Sequence, residues 1–256
     1  MKKPLIYFTL IVGIIAFIGA CKSDDSSSST STSTSTVTSC NDTASGSITG
    51  VDNRSLSGTY SVMLQYAENS GIDNDTGCTT NADIMAGFIN HIASGAASFN
   101  YWRIVTSDTT YAMKLQSYSD TSCSTEIASL VIGYTDVTIV DNVTGLTTGN
   151  ASNGTTGTKA TSKQHCMKGK GTTDNGTTWL NAYVSSSGIT YVTGEEKISG
   201  ASGETFYHLW HSDNSSKSQG QGSYADFLGN AWRDRSSSSA YPTDWTDSGA
   251  QDAFQR

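Results

Sequence analysis

Five cysteines, four histidines and a scatter of aspartates are the residues with which this chain could do chemistry, and their spacing removes most of the possibilities. Cys166 directly follows His165, but neighbours on an extended strand point to opposite faces, which separates the thiol from the base that would activate it. His208 and His211 stand three apart in the run ETFYHLWH, again on opposite faces of a strand and so not on one metal ion. The segment GIDNDTGC carries Asp73, Asp75 and Gly77 in the manner of a calcium loop. Ile84 occupies the twelfth position, where such a loop needs a glutamate, so the segment is expected to be a turn. SGASGE, residues 199–204, is one residue short of a nucleophile elbow and reads as a glycine-rich loop. No catalytic residue, metal or cofactor is expected from these motifs.

Binding is the chemistry that remains. Trp102, Trp179, Trp210, Tyr183, Tyr191 and Tyr207 fall on expected strands, where they would line an apolar or sugar-binding cavity or simply fill a core. Lys159, Lys163, Lys168 and Lys170 cluster around Cys166 in an otherwise acidic chain. Such a run meets an anionic head group or a glycan, or else is a solvated loop. Cys40, Cys78, Cys123 and Cys166 are an even set with wide spacing, which implies two disulfides in an exported protein and leaves three connectivities open.

The elements that must position these residues are mostly strands. GTYSVMLQYA, residues 58–67, alternates Tyr60, Val62, Leu64 and Tyr66 on one face. Further strands are expected over about 98–106 and 110–118, joined by a turn at Ser107 and Asp108, and one or two more over 126–141. The stretch 159–169 is a weaker candidate, residues 177–195 read as a hairpin around Ser187 and Gly188, and 204–211 closes the series. Two helical patterns interrupt it. One follows Asn81, with Ile84, Met85, Phe88, Ile89 and Ile92 on one face, and either packs on the sheet or covers a cavity as a lid. The other follows Ser223, with Tyr224, Phe227, Leu228, Ala231 and Trp232 on one face. Sequential strands with short turns and few helices imply an antiparallel barrel or sandwich.

The N-terminus gives an address. Lys2 and Lys3 precede an apolar run from Leu5 to Ile18, the layout of a secretory signal, too short to span a bilayer before Lys22, Asp24 and Asp25 stop it. Residues 26–39 are almost all serine and threonine, with nothing to bury, and are expected to form a disordered tether. Ile18, Gly19, Ala20 and Cys21 resemble the lipobox of bacterial lipoproteins. That resemblance implies a signal peptide over 1–20, a lipidated Cys21 opening the tether at 21–39, and a folded domain over 40–256. Lys22 after the cysteine resembles lipoproteins sent to the outer membrane of Gram-negative bacteria. The net charge of the whole chain is −8, and loss of Lys2 and Lys3 leaves thirteen cationic against 23 acidic side chains, which argues against a nucleic-acid partner.

Gly58, Thr59 and Tyr60 resemble the Gly-x-Trp opening of lipocalins, with tyrosine in place of tryptophan, and YSDTSC at 118–123 is similar to the Tyr-x-Asp-x-x-Cys hairpin of bacterial lipocalin-like lipoproteins. This resemblance implies an up-and-down β-barrel with a helix near the C-terminus, and the pairings Cys78–Cys123 and Cys40–Cys166. The functional expectation is a lipid-anchored surface or periplasmic lipoprotein that binds a small apolar or glycan ligand or an envelope partner. A secreted hydrolase whose acidic residues are not recognisable, and a purely structural envelope protein, are the alternatives.

Overall fold

The computed structural model describes residues 40–62, 77–146, 156–186, 197–200, 203–213, 231–243 and 252–255. The chain is mainly β: an antiparallel sheet curled into a half-barrel, with two α-helices among the described residues. Its strands are β1 (Ile48–Val51), β2 (Arg54–Leu56), β3 (Thr59–Ser61), β4 (Ser98–Ser107), β5 (Thr110–Tyr118), β6 (Glu126–Thr144), β7 (Thr156–Gly171), β8 (Lys197–Gly200), β9 (Thr205–Asp213), β10 (Ala231–Ser237) and β11 (Asp252–Gln255). Pairings run from β3 through β4, β5, β6, β7, β9 and β10 to β11. A single register pair, Gln255 opposite Ser61, returns β11 to β3. β8 adds to β7 alone, at the edge.

The bounds of β4 and β5 match the sequence reading within a residue. The second half of the expected first strand, residues 63–67, lies outside the described residues. The weak candidate at 159–169 is a full-length strand, β7, and β6 is one continuous strand of 19 residues with bulges where two segments were an alternative.

Two expectations are overturned. Residues 177–186 are not the first arm of a hairpin but belong to helix α2 (Asp174–Ser186). Thr173 caps it, accepting from the Gly176 amide at 3.1 Å, and Gly176 and Leu180 form its buried face with Trp179 and Tyr183 alongside. The β propensity of Trp179 and Tyr183 gave way to this docking. α2 sits tight on the sheet because Gly169 meets Leu180 and Gly171 meets the Thr177 backbone, where a β-carbon would collide. The expected C-terminal helix is also corrected: residues 231–237 are β10, with Trp232 and Asp234 inward and Arg233 and Arg235 on the other face. Residues 223–230 lie outside the described residues.

The first helix stands where the sequence places it, as α1 (Ala82–Gly87), with Asn81 accepting from the amides of Asp83 and Ile84. It is shorter than the apolar pattern. At Phe88 the chain tightens into a 3₁₀ turn, Ile89–His91, and the change of phase leaves Ile89 65% exposed while Phe88 and Ile92 stay buried.

Both ends of the curled sheet are covered. At one, the hairpin β1–β2 drives Ile48, Val51 and Leu56 into the core. Its two-residue turn has Asp52 and Asn53 both at positive φ, the type I′ geometry that suits a tight hairpin. At the other end lie α1, the 3₁₀ turn and α2. Before β1, residues 40–47 run as a strap over the outer wall. Cys40 is bonded to Cys166 of β7, and Asp42 bridges Lys114 of β5 and Lys168 of β7 at 2.9 and 3.2 Å. The Ser45 amide then donates to the Val105 carbonyl.

Candidate functional site

The interior of the curled sheet is filled by aromatic side chains gathered around one polar cluster. Arg103 on β4 and Asp234 on β10 are separated in the sheet by β3 and β11, so their 2.7 Å ion pair crosses the interior. The other carboxylate oxygen of Asp234 accepts from Trp210 Nε1 at 3.0 Å and from His208 Nδ1 at 3.1 Å. A carboxylate only accepts, so Nδ1 carries a hydrogen, and on the other side of the ring His208 Nε2 lies 2.7 Å from Ser162 Oγ on β7. The Tyr111 hydroxyl lies 3.3 Å from Ser162 Oγ and 3.4 Å from His208 Nε2. Its ring stacks on Tyr134 with centroids 4.6 Å apart, and the Arg103 guanidinium sits 5.3 Å from its centroid.

Burial alone would push the Asp234 carboxyl up. The Arg103 guanidinium, with His208 and the Trp210 hydrogen bond, outweighs it and holds the group ionised below its ordinary range. Burial pulls the Arg103 guanidinium down, and Asp234 reverses this, so the pair is locked in its charged form. The Tyr111 hydroxyl is pushed well up by burial, as are those of Tyr183 and Tyr118. A raised phenol favours the fold below its unfolded value near 10, and that stability is lost as pH rises from there through the folded values. With three such groups, stability is expected to fall by up to about 4 kcal/mol per pH unit above about pH 10. Tyrosinate absorbance and circular dichroism should then change together in alkaline titration, where exposed phenols alone would ionise first.

Ser162, His208 and Asp234 have the order and distances of a nucleophile, base and orienting carboxylate. The surroundings differ from those of a working triad. Ser162 and His208 are each 1% exposed, and the carboxylate that would stabilise an imidazolium is already paired with Arg103. The geometry fixes a hydrogen-bond relay in a packed interior.

The expected binding aromatics are not brought together. Trp210 is in the interior and fully buried, with Trp232, Tyr111 and His208 within 6 Å between ring centroids or close to it. Trp102 is on the opposite face of β4 from Tyr101 and Arg103, half-buried and in register with Lys114. Trp179 and Tyr183 are on α2, their rings 5.4 Å apart, with Tyr183 against His91. Tyr207 faces outward onto Tyr241, and Tyr191 lies outside the described residues. Asp73 and Asp75 also lie outside them. His208 and His211 do take opposite faces: His208 points inward and His211 approaches Asp52 of the β1–β2 turn at 2.7 Å.

The cysteines pair as Cys40–Cys166 and Cys78–Cys123. The YSDTSC hairpin has a local cause. The Asp120 carboxylate accepts from the amides of Ser122, Ser124 and Thr125 and from the Ser122 hydroxyl, which folds the turn so that Cys123, at φ 53°, faces Cys78. Those hydrogen bonds, the Ser122 hydroxyl first, hold the Asp120 carboxyl well below the usual carboxylate range. Arg103, Tyr111, Ser162 and Asp234 were not singled out by motif. The one local signal was Arg103, a cation in the otherwise uncharged stretch FNYWRIV.

No family model matches this chain, and no curated protein matches it.

Proposed function

We propose that this chain is a lipid-anchored envelope protein of a Gram-negative bacterium, a lipocalin-like up-and-down barrel that acts as a solid scaffold on the end of a Ser/Thr tether. The observation that carries the scaffold reading is the packed interior: Tyr101, Tyr111, Trp210 and Trp232 are each at most 1% exposed, and a charged network joins them. A barrel of this size either holds one small ligand or fills its interior with side chains. Filling favours an envelope partner met on the outer wall over an apolar or glycan ligand held inside. The anchor rests on the lipobox resemblance at Ile18–Cys21 and on the tether, which ends where the disulfide-bonded Cys40 begins the described residues.

Labelled fatty acid should be incorporated into the full chain and not into Cys21→Ala; equal labelling of both would remove the anchor. Tryptophan emission of the lipidated protein in detergent should stay unchanged across a panel of lipids, isoprenoids and glycans. Saturable quenching weakened by Trp210→Phe would restore the ligand carrier.

The alignment of Ser162, His208 and Asp234 at 2.7 and 3.1 Å supports one second reading, a secreted hydrolase. An alkyl fluorophosphonate tests it, since Ser162 Oγ would displace fluoride and its proton would pass to His208. Adduct mapped to Ser162 in folded protein would establish that reading, and an unmodified Ser162 leaves the scaffold.

A further inference from the structure

β7 holds four lysines and one histidine and not one acidic residue, in a chain of net charge −8. Read by simple alternation, Lys159 and Lys163 at odd positions and Lys168 and Lys170 at even ones would fall on opposite faces. The fold prevents this. Gly133 pairs with Cys166 and Tyr134 with Gln164, so His165 is an extra residue bulged out of the ladder, and the bulge shifts the parity of everything after it. Ala160 and Ser162 point inward before it and Met167 after it, which places all four lysines on the outer wall. Lys114 joins them from β5, in one register row with Val131 and Lys168.

Four acids among the described residues face this wall, and one of them, Glu126, accepts from Gln116 in the register row that ends at Lys170. Asp42 is held between Lys114 and Lys168, Asp136 lies 3.4 Å from Lys163 with both side chains at least half exposed, and Asp141 is in register with Lys159. Lys159 also sits over the Tyr241 ring. Among the described residues, five lysines against three aspartates and Glu126 leave the wall one charge positive, with Lys163, His165 and Lys170 exposed along its crest. In the middle of that crest is Cys166, bonded to Cys40, the residue at which the tether meets the domain. A Ser/Thr-rich linker as long as residues 21–39 would have a root-mean-square reach of about 25 Å, which keeps a membrane holding Cys21 within reach of this wall.

We infer that the outer face of β7, with Lys163 and Lys170 at its crest, docks on anionic lipid head groups of the membrane that holds the anchor, laying the barrel on its side. The inference rests on the lipid-anchor reading. The bulge keeps the lysines together and the disulfide delivers them to the surface, where the effective concentration set by the tether makes weak charge attraction sufficient.

The test uses the lipidated full chain in vesicles of phosphatidylcholine, or of phosphatidylcholine mixed equally with phosphatidylglycerol, with lysine acylation by a water-soluble ester followed by peptide mapping. Lys163 and Lys170 should react about five-fold more slowly on the anionic vesicles, the effect of one lysine's attraction to such a surface. The difference should vanish in about 1 M salt, where screening acts within about 3 Å. In Lys163→Gln the protection of Lys170 should weaken. Equal reaction on both vesicles, with the protein floating with both, overturns the docking and leaves the anchor standing. Failure to float with either overturns the anchor and the docking with it.

Discussion

Replacing Arg103 with methionine is expected to destabilise the fold by about 3–5 kcal/mol near neutral pH, because it strands the Asp234 carboxylate in the interior without its cation. For a chain of this size that corresponds to a fall in melting temperature of about 10 °C or more. Asp234→Asn should cost about as much, now with the guanidinium stranded. The double variant Arg103→Met/Asp234→Asn should recover most of the loss, since the asparagine oxygen still accepts from His208 and Trp210 and neither charge of the pair is left without its partner. The pH dependence separates this account from simple loss of packing. The Asp234 carboxyl is lowered in the fold, so its contribution is complete above the unfolded value of 3.8 and lost as pH falls through the folded one. In Arg103→Met the orphaned carboxyl can escape by protonation, so the gap to the parent should narrow as pH falls. A gap that stays constant from pH 7 to about 4 would show that the guanidinium acts by filling space.

The same cluster explains what sequence could and could not give. β4, β5 and β9 were legible because they are short runs rich in aromatic and β-branched residues bounded by turn residues, and in them Tyr101 and Arg103 alternate with Trp102, and Phe206, His208 and Trp210 with Tyr207. Alternation does not say which face is inside. Trp102 was grouped with Trp210 by residue type, and only the closing of the sheet puts them on opposite sides of the wall. α2 was lost because Trp179 and Tyr183 favour strands, although Thr173 three residues before Gly176 and the spacing of Gly176, Leu180 and Tyr183 were helical signals. β10 was lost for the opposite reason: Leu228, Ala231 and Trp232 suit a helix, while the inward pair Trp232 and Asp234 suits a strand only once a cation waits across the interior. Ser162, His208 and Asp234 come from three strands and Arg103 from a fourth. No spacing within one segment could have joined them.

Removing the Cys40–Cys166 bridge should cost more than removing Cys78–Cys123, and for a reason beyond loop length. The bridges close 126 and 45 residues, and chain entropy assigns them about 5 and 4 kcal/mol, too small a difference to rank them. What separates them is what each holds. Cys40 is the start of the strap, and without it Asp42 between Lys114 and Lys168, the Ser45 amide on Val105 and the Ser47 amide on Asp108 are left to hold residues 40–47 alone. Asp42 is partly buried, which raises its carboxyl, and the two lysines more than reverse this, so the strap contributes only while they meet. Cys40→Ala/Cys166→Ala is therefore expected to lose about 5 kcal/mol, to expose the strap to proteolysis and to speed acylation of Lys114 and Lys168. Gly133→Ala should reproduce part of the loss with both cysteines present, because a β-carbon there runs into the sulfur atoms of Cys166 and Cys40. The Cys78→Ala/Cys123→Ala variant should leave the strap protected and the two lysines slow to react. Equal losses from the two bridges, with the strap protected in both, would show that the outer wall holds residues 40–47 without the disulfide.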